Sequence, residues 1–451
     1  MAGGLGLNAA SSLPYATRIT TITTITAAGA AALLLLAATK SLNRQGEGKD
    51  DAKRNVLPSP RTTLLPALTA AERRDLPYPP DGLLPGARDV DSPYGSMRVY
   101  EWGPEEGAKV LLVHGISTPC VALAAVAEEL VRRGRRVMLF DLFGRGYSDS
   151  PTDLPHDSRL YTAQIALALA SSPLSWTGSG PGRSFAIVGY SLGGGIAADF
   201  ASYFFPAPAS SLVLIAPGGV LRRARAGWTS WLLYDVLAAL PGTAAVLRWA
   251  VARRLYTPPP PLESAATAEP FPCPPTDVGN AAAQAEAGQV VVVAARRQQE
   301  GNGRGRSSSM LSHPTPLLPG RPQHVTAAGA VNWQLAHHAG FVVPAFVSCM
   351  RRAPIYGQQA RWRVLGEKIE AERAAARLQG RKMTGEGVLL VLGRDDPIVR
   401  VDEVGTDAVE ALGGERNVKT VVLDAGHEVP MSRPKEVAEA MVEFWEARGG
   451  V

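Results

Sequence analysis

The sequence predicts an α/β fold in which a mostly parallel, twisted sheet carries helices on both faces. From Ser96 onward, short runs rich in β-branched and aliphatic residues alternate with helical patterns, as expected for parallel strands joined by helical crossovers. The alternation stops between about residues 220 and 384 and then resumes. An insertion between two late strands, at the sheet edge where ligands bind, is typical of a helical lid.

Each element follows from its local pattern. The predicted strands are Met97–Trp102, Val110–Val113, Arg136–Phe140, Phe185–Val188, Leu212–Ile215, Val388–Leu392 and Thr420–Leu423. The helices predicted around them are Ala122–Arg133, Tyr161–Leu169, Ser191–Phe204 and Lys435–Arg448. Two further helices, Ala330–Arg351 and Tyr356–Arg377, are predicted inside the insertion.

Shifts in composition divide the chain into six segments. They are an N-terminal segment (1–18), a candidate transmembrane anchor (19–39), a linker (40–90), the first part of the core (91–219), a lid insertion (220–384) and the second part of the core (385–451). The linker is predicted from its Pro, Arg, Asp and Gly content and its lack of periodicity. Within the insertion, a tract from about 257 to 322 is dense in Pro, Ala, Gln, Ser and Gly and is expected to be disordered.

The candidate anchor is an uncharged stretch of 21 residues, Ile19–Thr39, between Arg18 and Lys40. A helix of this length just spans a bilayer core, which predicts a single-pass protein of the endoplasmic reticulum or of mitochondria. A cleaved signal peptide, with Ala27–Ala38 as its apolar region, and an acid-free mitochondrial transit peptide are alternatives. Basic residues are more numerous after the stretch than before it, so the positive-inside tendency places the body of the chain in the cytosol.

The bulk composition argues against several classes of partner. The net charge is only +5, and no stripe of Lys and Arg with interleaved aromatic residues is present, which argues against nucleic acid. Cys120, Cys273 and Cys349 are isolated and lack the paired spacing of a zinc site or a disulfide framework. We therefore expect no metal and no cofactor.

A Gly-rich turn carries the strongest chemical signal. Residues 189–193, Gly-Tyr-Ser-Leu-Gly, fit the pattern G-x-S-x-G where a predicted strand becomes a helix. In such a turn Gly189 and Gly193 are needed because side chains there would clash with neighbouring backbone, and the Ser191 hydroxyl is lifted clear as a nucleophile. The N–H of Leu192 would face the site at the helix N-terminus. Taken alone, the pattern is also compatible with an ordinary turn.

A second segment, Val-His-Gly-Ile at residues 113–116, ends another predicted strand. A turn at Gly115 would bring the backbone close to the nucleophile and direct the N–H of Ile116 at a developing oxyanion. The ring of His114 would hold the loop. An ordinary Gly turn is the alternative.

Candidates for an acid and a base follow the last two predicted strands. Asp395 and Asp396 both stand where an acid could orient a catalytic histidine, and the Pro and apolar residues that follow favour Asp396. An N-cap aspartate is the alternative. His427 lies on a loop after a glycine and could be a general base or an ordinary surface histidine. The order Ser…Asp…His, with each residue after a strand, favours an enzyme.

Taken together, these segments resemble the α/β-hydrolase family, in particular its membrane-anchored esterases and monoacylglycerol-lipase-like members. The matching segments are V-H-G-I (113–116), D-L-F-G-R-G-Y-S-D (141–149), G-Y-S-L-G-G (189–194), G-R-D-D-P-I-V (393–399) and A-G-H-E-V-P (425–430). The resemblance covers residues 97–220 and 388–448. It implies an α/β-hydrolase fold, and a loop from Asp141 to Ser148 that packs beside the oxyanion turn without a catalytic role.

The resemblance also implies roles for single residues. Ser191 would be the nucleophile, His427 its base and Asp396 the acid that orients His427. The N–H groups of Leu192 and Ile116 would bind the oxyanion. The predicted activity is hydrolysis of a carboxylic ester, such as a monoacylglycerol or another lipid ester, through an acyl-enzyme. The same residues would serve hydrolysis of a thioester, an amide or a C–C bond, and a ligand-binding protein without turnover is a further alternative.

The start of the insertion is rich in aromatic and basic residues. The aromatic residues are Trp228, Trp231, Tyr234, Trp249 and Tyr256, the first three at helical spacing. The arginines are Arg222, Arg223, Arg225, Arg248, Arg253 and Arg254, and Asp235 is the acid among them. The aromatic residues either pack the insertion against the core or form a surface that sits at an anionic membrane.

Overall fold

The computed structural model describes residues 55–177, 184–207, 209–258, 317–318, 325–380 and 387–447. The predicted segments 1–18 and 19–39 lie outside these residues, as does nearly all of the tract from 257 to 322. Within the described ranges, no helix combines the length and apolar character needed to cross a bilayer.

The described residues form one large sheet and one small one. The strands are β1 (Val56–Leu57), β2 (Ala87–Val90), β3 (Met97–Trp102), β4 (Lys109–Val113), β5 (Arg136–Phe140), β6 (Ser150–Pro151), β7 (Phe185–Tyr190), β8 (Ala209–Ile215), β9 (Val388–Gly393) and β10 (Val418–Leu423). Eight of them pair in the order β10-β9-β8-β7-β4-β5-β3-β2, and β1 pairs with β6 separately. Strand β3 is antiparallel to both of its neighbours, whereas the run from β5 to β10 is parallel. The predicted mostly parallel α/β sheet is confirmed.

Helices cover both faces of this sheet. They are α1 (Pro60–Thr63), α2 (Ala70–Arg74), α3 (Ala124–Arg132), α4 (Ser158–Ala170), α5 (Leu192–Phe204), α6 (Gly227–Trp231), α7 (Ala244–Leu255), α8 (Ala327–His337), α9 (Val347–Arg352), α10 (Gln359–Leu378), α11 (Thr406–Ala411), α12 (Val429–Ser432) and α13 (Pro434–Glu446). Shorter helical turns are Leu65–Ala67, Cys120–Leu123, Arg223–Ala226, Leu232–Val236, Leu237–Ala239, Phe341–Phe346, Val401–Gly405 and Glu415–Asn417. Helix α3 packs on α13, and α5 packs on α4 and α10. Every residue of β4 and β7 is buried, although consecutive side chains point to opposite faces, so neither face is open to water.

The linker predicted over residues 40–90 is folded in its described part. Strand β2 adds to the sheet edge by pairing with β3, and Tyr78 is fully buried. The Arg98 guanidinium donates to the carbonyl of Pro80 at 3.1 Å. The segment also contributes Leu65, Tyr78, Leu83 and Leu84 to the hydrophobic core. These residues do not recur at helical or strand spacing, so its composition resembles that of a tether.

The helix predicted over Ala330–Arg351 is interrupted. Helix α8 ends at His337, where His338 takes an extended conformation with φ −101° and ψ 98°, and Val343 is also non-helical, with φ −128° and ψ 118°. Val343 precedes Pro344, and the residue before a proline is disfavoured in the helical region. Helices α8 and α9 are therefore separate instead of forming one continuous helix.

The strand register places the predicted site segments together at the carboxyl ends of the strands. Val113 of β4 lies beside Gly189 of β7, and Leu423 of β10 lies beside Gly393 of β9. Since β4, β7, β8, β9 and β10 are parallel, the loops that follow them all leave the same edge of the sheet.

Candidate active site

Ser191 occupies a sharp turn between β7 and α5. Its backbone has φ 53° and ψ −120°, in a region that residues with a side chain rarely adopt. Two hydrogen bonds hold it there: its N–H donates to the carbonyl of Ile215 at 3.1 Å, and its own carbonyl accepts from the N–H of Gly218 at 2.7 Å. The turn is therefore fixed by the chain that leaves β8.

The glycines around Ser191 are required by close backbone contacts. A Cβ atom on Gly189 would lie 2.2 Å from the carbonyl oxygen of Gly193, and one on Gly193 would lie 2.1 Å from that of Val113. A Cβ on Gly195 would lie 1.9 Å from the carbonyl oxygen of Pro354. The lack of a Cβ atom at Gly189 and Gly193 permits the turn itself. Its lack at Gly195 lets α5 pack closely against the insertion.

The structure brings Ser191, His427 and Asp396 into one hydrogen-bonded chain. The distance from Ser191 Oγ to His427 Nε2 is 3.0 Å, and His427 Nδ1 lies 2.8 Å from Asp396 Oδ2. All three side chains are buried. An ionised carboxylate only accepts hydrogen bonds, so Nδ1 carries the imidazole proton and Nε2 is left to accept from the serine hydroxyl.

The loop after β9 separates the two candidate acids. Asp396 Oδ1 accepts hydrogen bonds from the backbone N–H groups of Ile398 at 2.7 Å and Val399 at 2.8 Å, while Oδ2 faces His427. These bonds fix the carboxylate in one orientation. Asp395 is exposed, and its backbone N–H donates to the carbonyl of Ala425. Of the two aspartates, Asp396 is the one that contacts the histidine.

The loop after β4 is held by the ring of His114. Its Nε2 accepts from the backbone N–H of Leu142 at 2.8 Å, so the proton lies on Nδ1, which is 2.8 Å from the carbonyl oxygen of Gly115. Burial, together with the nearby charge of Arg145, lowers the pKa of His114 to about 3. His114 is therefore neutral and joins this loop to the segment that starts at Asp141.

Arg145 was not identified from the sequence, and it contacts the same loop. Its Nε donates to the carbonyl of Ile116 at 2.9 Å and Nη1 to the phenol of Tyr161 at 3.0 Å, while Nη2 lies 3.3 Å from the Cys349 sulfur. Arg145 is fully buried. Only its place in a G-R-G triplet marks it in the sequence, and nothing in that triplet indicates a contact with α9.

Gln334 of α8 forms a second link between the insertion and these loops. Its amide nitrogen donates to the carbonyl of Ser117 at 2.8 Å, and its amide oxygen accepts from the N–H of Gly146 at 2.8 Å. The insertion therefore holds the loop of Ile116 in place as well as covering it.

An apolar cavity opens beside Ser191. Its volume is about 440 Å³ including the space open to solvent. Ser191 and His427 line it, together with Ile116, Leu192, Gly218, Leu221, Ile355, Tyr356, Ile398 and Val399. The two residues predicted to supply oxyanion N–H groups, Ile116 and Leu192, thus lie at the same cavity as the serine.

Comparison with known proteins finds similarity to one fold family. Residues 109–263 match the sequence profile of the alpha/beta hydrolase fold. An uncharacterised protein of Mycobacterium tuberculosis is 33% identical over 116 residues, 26% of this chain and 31% of the relative. A serine hydrolase-like protein of Danio rerio is 28% identical over 130 residues, 29% of this chain and 37% of that protein. The chain spans about a third of the length of the curated relatives it matches.

A solved structure that aligns with this chain is distant from it in sequence. A bromoperoxidase from Bacillus anthracis aligns over 80% of this chain and 99% of its own, with 14% identity and a TM-score of 0.47. The profile match begins with the first residue of β4 and includes Ser191, whereas Asp396 and His427 lie beyond it.

The pKa values of three buried histidines predict how the stability of the fold depends on pH. Burial lowers the pKa of His114 and His156 to about 3 and that of His338 to about 4. In the unfolded chain these groups take up protons below about pH 6.5. Below about pH 6.5 the unfolded chain therefore binds more protons than the folded protein. The free energy of unfolding falls as the pH drops from about 6.5 towards the pKa values of the folded protein. His338→Gln should flatten the fall between pH 6 and pH 5 by about 1.4 kcal/mol per pH unit.

Urea unfolding at several pH values measures this slope. His337→Gln is the matched control, because His337 is the neighbouring residue and its side chain is exposed. It should leave the slope as in the wild type. Equal slopes for the two variants would contradict the prediction.

Proposed function

We propose that this chain, a member of the α/β-hydrolase fold family, is a serine hydrolase that cleaves a carboxylic ester through an acyl-enzyme on Ser191. The observation that carries the proposal is the chain of hydrogen bonds from Ser191 Oγ to His427 and on to Asp396, at the wall of an apolar cavity. A serine hydroxyl is a weak nucleophile unless an oriented base accepts its proton, and this arrangement supplies both base and orientation.

The reaction begins with attack on the ester carbonyl. As Ser191 Oγ bonds to the carbonyl carbon, His427 Nε2 accepts the hydroxyl proton, and Asp396 stabilises the imidazolium that forms. The tetrahedral intermediate then breaks the bond to the alcohol oxygen, which takes the proton from His427 as it leaves. Water next attacks the acyl-enzyme with His427 again as base, which releases the acid and restores Ser191.

Two backbone N–H groups are proposed to stabilise the oxyanion. Leu192 is the first residue of α5, where N–H groups lack partners within the helix and the helix dipole favours negative charge. Ile116 also lines the cavity, in the loop fixed by His114 and Arg145. Donors held in place before the reaction stabilise developing charge more than mobile ones, because no reorganisation is needed.

The cavity lining favours a substrate with an apolar chain. Leu221, Ile355 and Ile398 present aliphatic side chains, and Tyr356 adds an aromatic ring. A lipid ester such as a monoacylglycerol matches this lining. The anchor predicted over residues 19–39 would hold the site near a lipid surface. Thioesters, amides and C–C bonds flanked by ketones would use the same three residues.

A fluorophosphonate probe tests for the activated serine. The wild-type chain should be labelled, and Ser191→Ala should lose labelling together with at least about 10³-fold in turnover. Ser175→Ala is the control, because Ser175 is an exposed serine of a surface loop. If the folded wild-type protein were not labelled, a ligand-binding protein without turnover would be the better interpretation.

The two neighbouring aspartates form a matched pair of variants. Asp396→Asn should lower kcat by about 10⁴-fold, because an amide no longer stabilises the imidazolium or selects the right tautomer. Asp395→Asn should stay within a few-fold of the wild type, since that side chain is exposed. Steady-state hydrolysis of a soluble ester measures both. Similar losses in the two variants would contradict the assignment of Asp396.

A series of esters with increasing acyl chain length tests the lipid substrate. If the chain occupies the apolar cavity, kcat/KM should rise about four-fold for each added methylene until the cavity is filled, because each buried CH₂ contributes about 0.8 kcal/mol. Thioester and amide analogues of the best chain length rank the bond that is cleaved. A maximum at acetyl esters, with a decline for longer chains, would exclude a lipid ester.

A further inference from the structure

We propose that one outer surface of the insertion binds the surface of an anionic lipid bilayer. We call this surface the aromatic face and define it by Trp228, Trp231, Val246, Trp249 and Tyr256. These side chains are exposed. Binding by the aromatic face does not depend on the proposed activity, although the two together would give the enzyme lipid substrates at the membrane.

The tryptophans of the aromatic face point outwards. Trp228 is 69% exposed, Trp231 58% and Trp249 65%. Of the two alternatives for the aromatic residues of this region, packing against the core describes Tyr234, which is buried, and does not describe these three. A large exposed apolar patch on a folded protein marks a binding surface.

Helix α7 carries large apolar side chains on both sides. Leu247, Val251 and Leu255 recur at helical spacing and are buried against the protein. Val246 and Trp249, on the opposite side, are exposed. At the surface of a protein that meets only water, the outward side of such a helix would be polar. Packing within the insertion therefore accounts for one side of α7 and leaves the other to a partner.

The charge of this region indicates which partner. Residues 220–258 contain six arginines and one acidic residue, Asp235. Arg222, Arg223 and Arg225 form ion pairs, with Asp407, Asp235 and Glu403 respectively. Arg248 and Arg253 lie on α7, and within the described part of the chain neither forms an ion pair. The Arg248 guanidinium donates to the carbonyl of Ala339, and that of Arg253 lies over the ring of Trp249, 5.9 Å from its centre. Tryptophan beside arginine is the combination found where proteins meet the head groups of anionic lipids.

The aromatic face connects to the cavity of Ser191. Leu221 and Tyr356 line that cavity and form a backbone bridge. The guanidinium of Arg223 lies over the ring of Tyr356 and pairs with Asp235, in the helical turn that follows Trp231. A bilayer on the aromatic face would therefore lie near the cavity.

Quenching of tryptophan emission tests the contact directly in the full chain. The protein is mixed with phosphatidylcholine vesicles, with or without phosphatidylserine, whose acyl chains are either plain or brominated. Brominated anionic vesicles should quench part of the emission. Trp228→Phe, Trp231→Phe and Trp249→Phe together should abolish that part, because the chain's other five tryptophans are buried or half-buried. Arg248→Gln and Arg253→Gln should each lower the ratio of docked to undocked protein about fivefold.

Two controls complete the experiment. Leu378→Trp in the triple-Phe background places an exposed tryptophan at the end of α10, the helix whose Arg373 donates to the carbonyl of Arg416 just before β10, and it should not be quenched. Ser191→Ala should keep full quenching, so failure of the proposed activity is distinguishable from failure of the surface.

Three outcomes would overturn the proposal. Equal emission in brominated and plain anionic vesicles would show that the aromatic face stays in water, even if the protein sediments with the vesicles through another segment. Quenching that survives in the triple-Phe variant would place the contact elsewhere. A dimer that dissociates in the triple-Phe variant, with no quenching of the wild type, would assign the face to a second copy of the chain.

Discussion

The end of β4 and the first turn of α5 approach so closely that their backbones touch, and the geometry of the site depends on this contact. The carbonyl of Val113 faces Gly193, where a side chain would collide with it. The contact sets the distance between Ser191, which precedes α5, and Ile116, which follows β4. Because Ser191 also adopts a strained conformation that is held by the chain after β8, the proposed nucleophile and its proposed oxyanion donors belong to one backbone arrangement.

The insertion is a structural part of this arrangement. Gly195 brings α5 against Pro354, Gln334 bonds the loop after β4, and Arg145 lies between that loop and Cys349. A cover that moved as a rigid body would have to break several buried hydrogen bonds, each of which leaves polar groups unpaired. The inner contacts of the insertion therefore favour a fixed frame around the site.

The sequence predicts the central strands well because both faces are buried and the strands appear as short, continuous apolar runs. The site residues are predictable for a related reason: each follows such a run, so the parallel topology alone brings Ser191, Asp396 and His427 to one edge. Contacts between distant segments leave no comparable pattern. Arg145 contacts Cys349 of α9, and the Arg98 guanidinium bonds the carbonyl of Pro80 within residues 55–90. The orientation of Trp228 and Trp249 was also undetermined, because helical spacing does not say which side of a helix faces the core.

The order of the sheet has a consequence for biosynthesis. Strands β7, β8, β9 and β10 are added outwards from β4 in the same order in which they occur in the chain, so each can pair with a neighbour that has already been made. The turn of Ser191 belongs to the early part of this series, whereas His427 follows the strand that is added last. A nascent chain would thus form the turn of Ser191 before His427 is present. The two side chains could meet only when β10 has joined the sheet. The proposed nucleophile would therefore gain its base only after β10 has joined the described sheet.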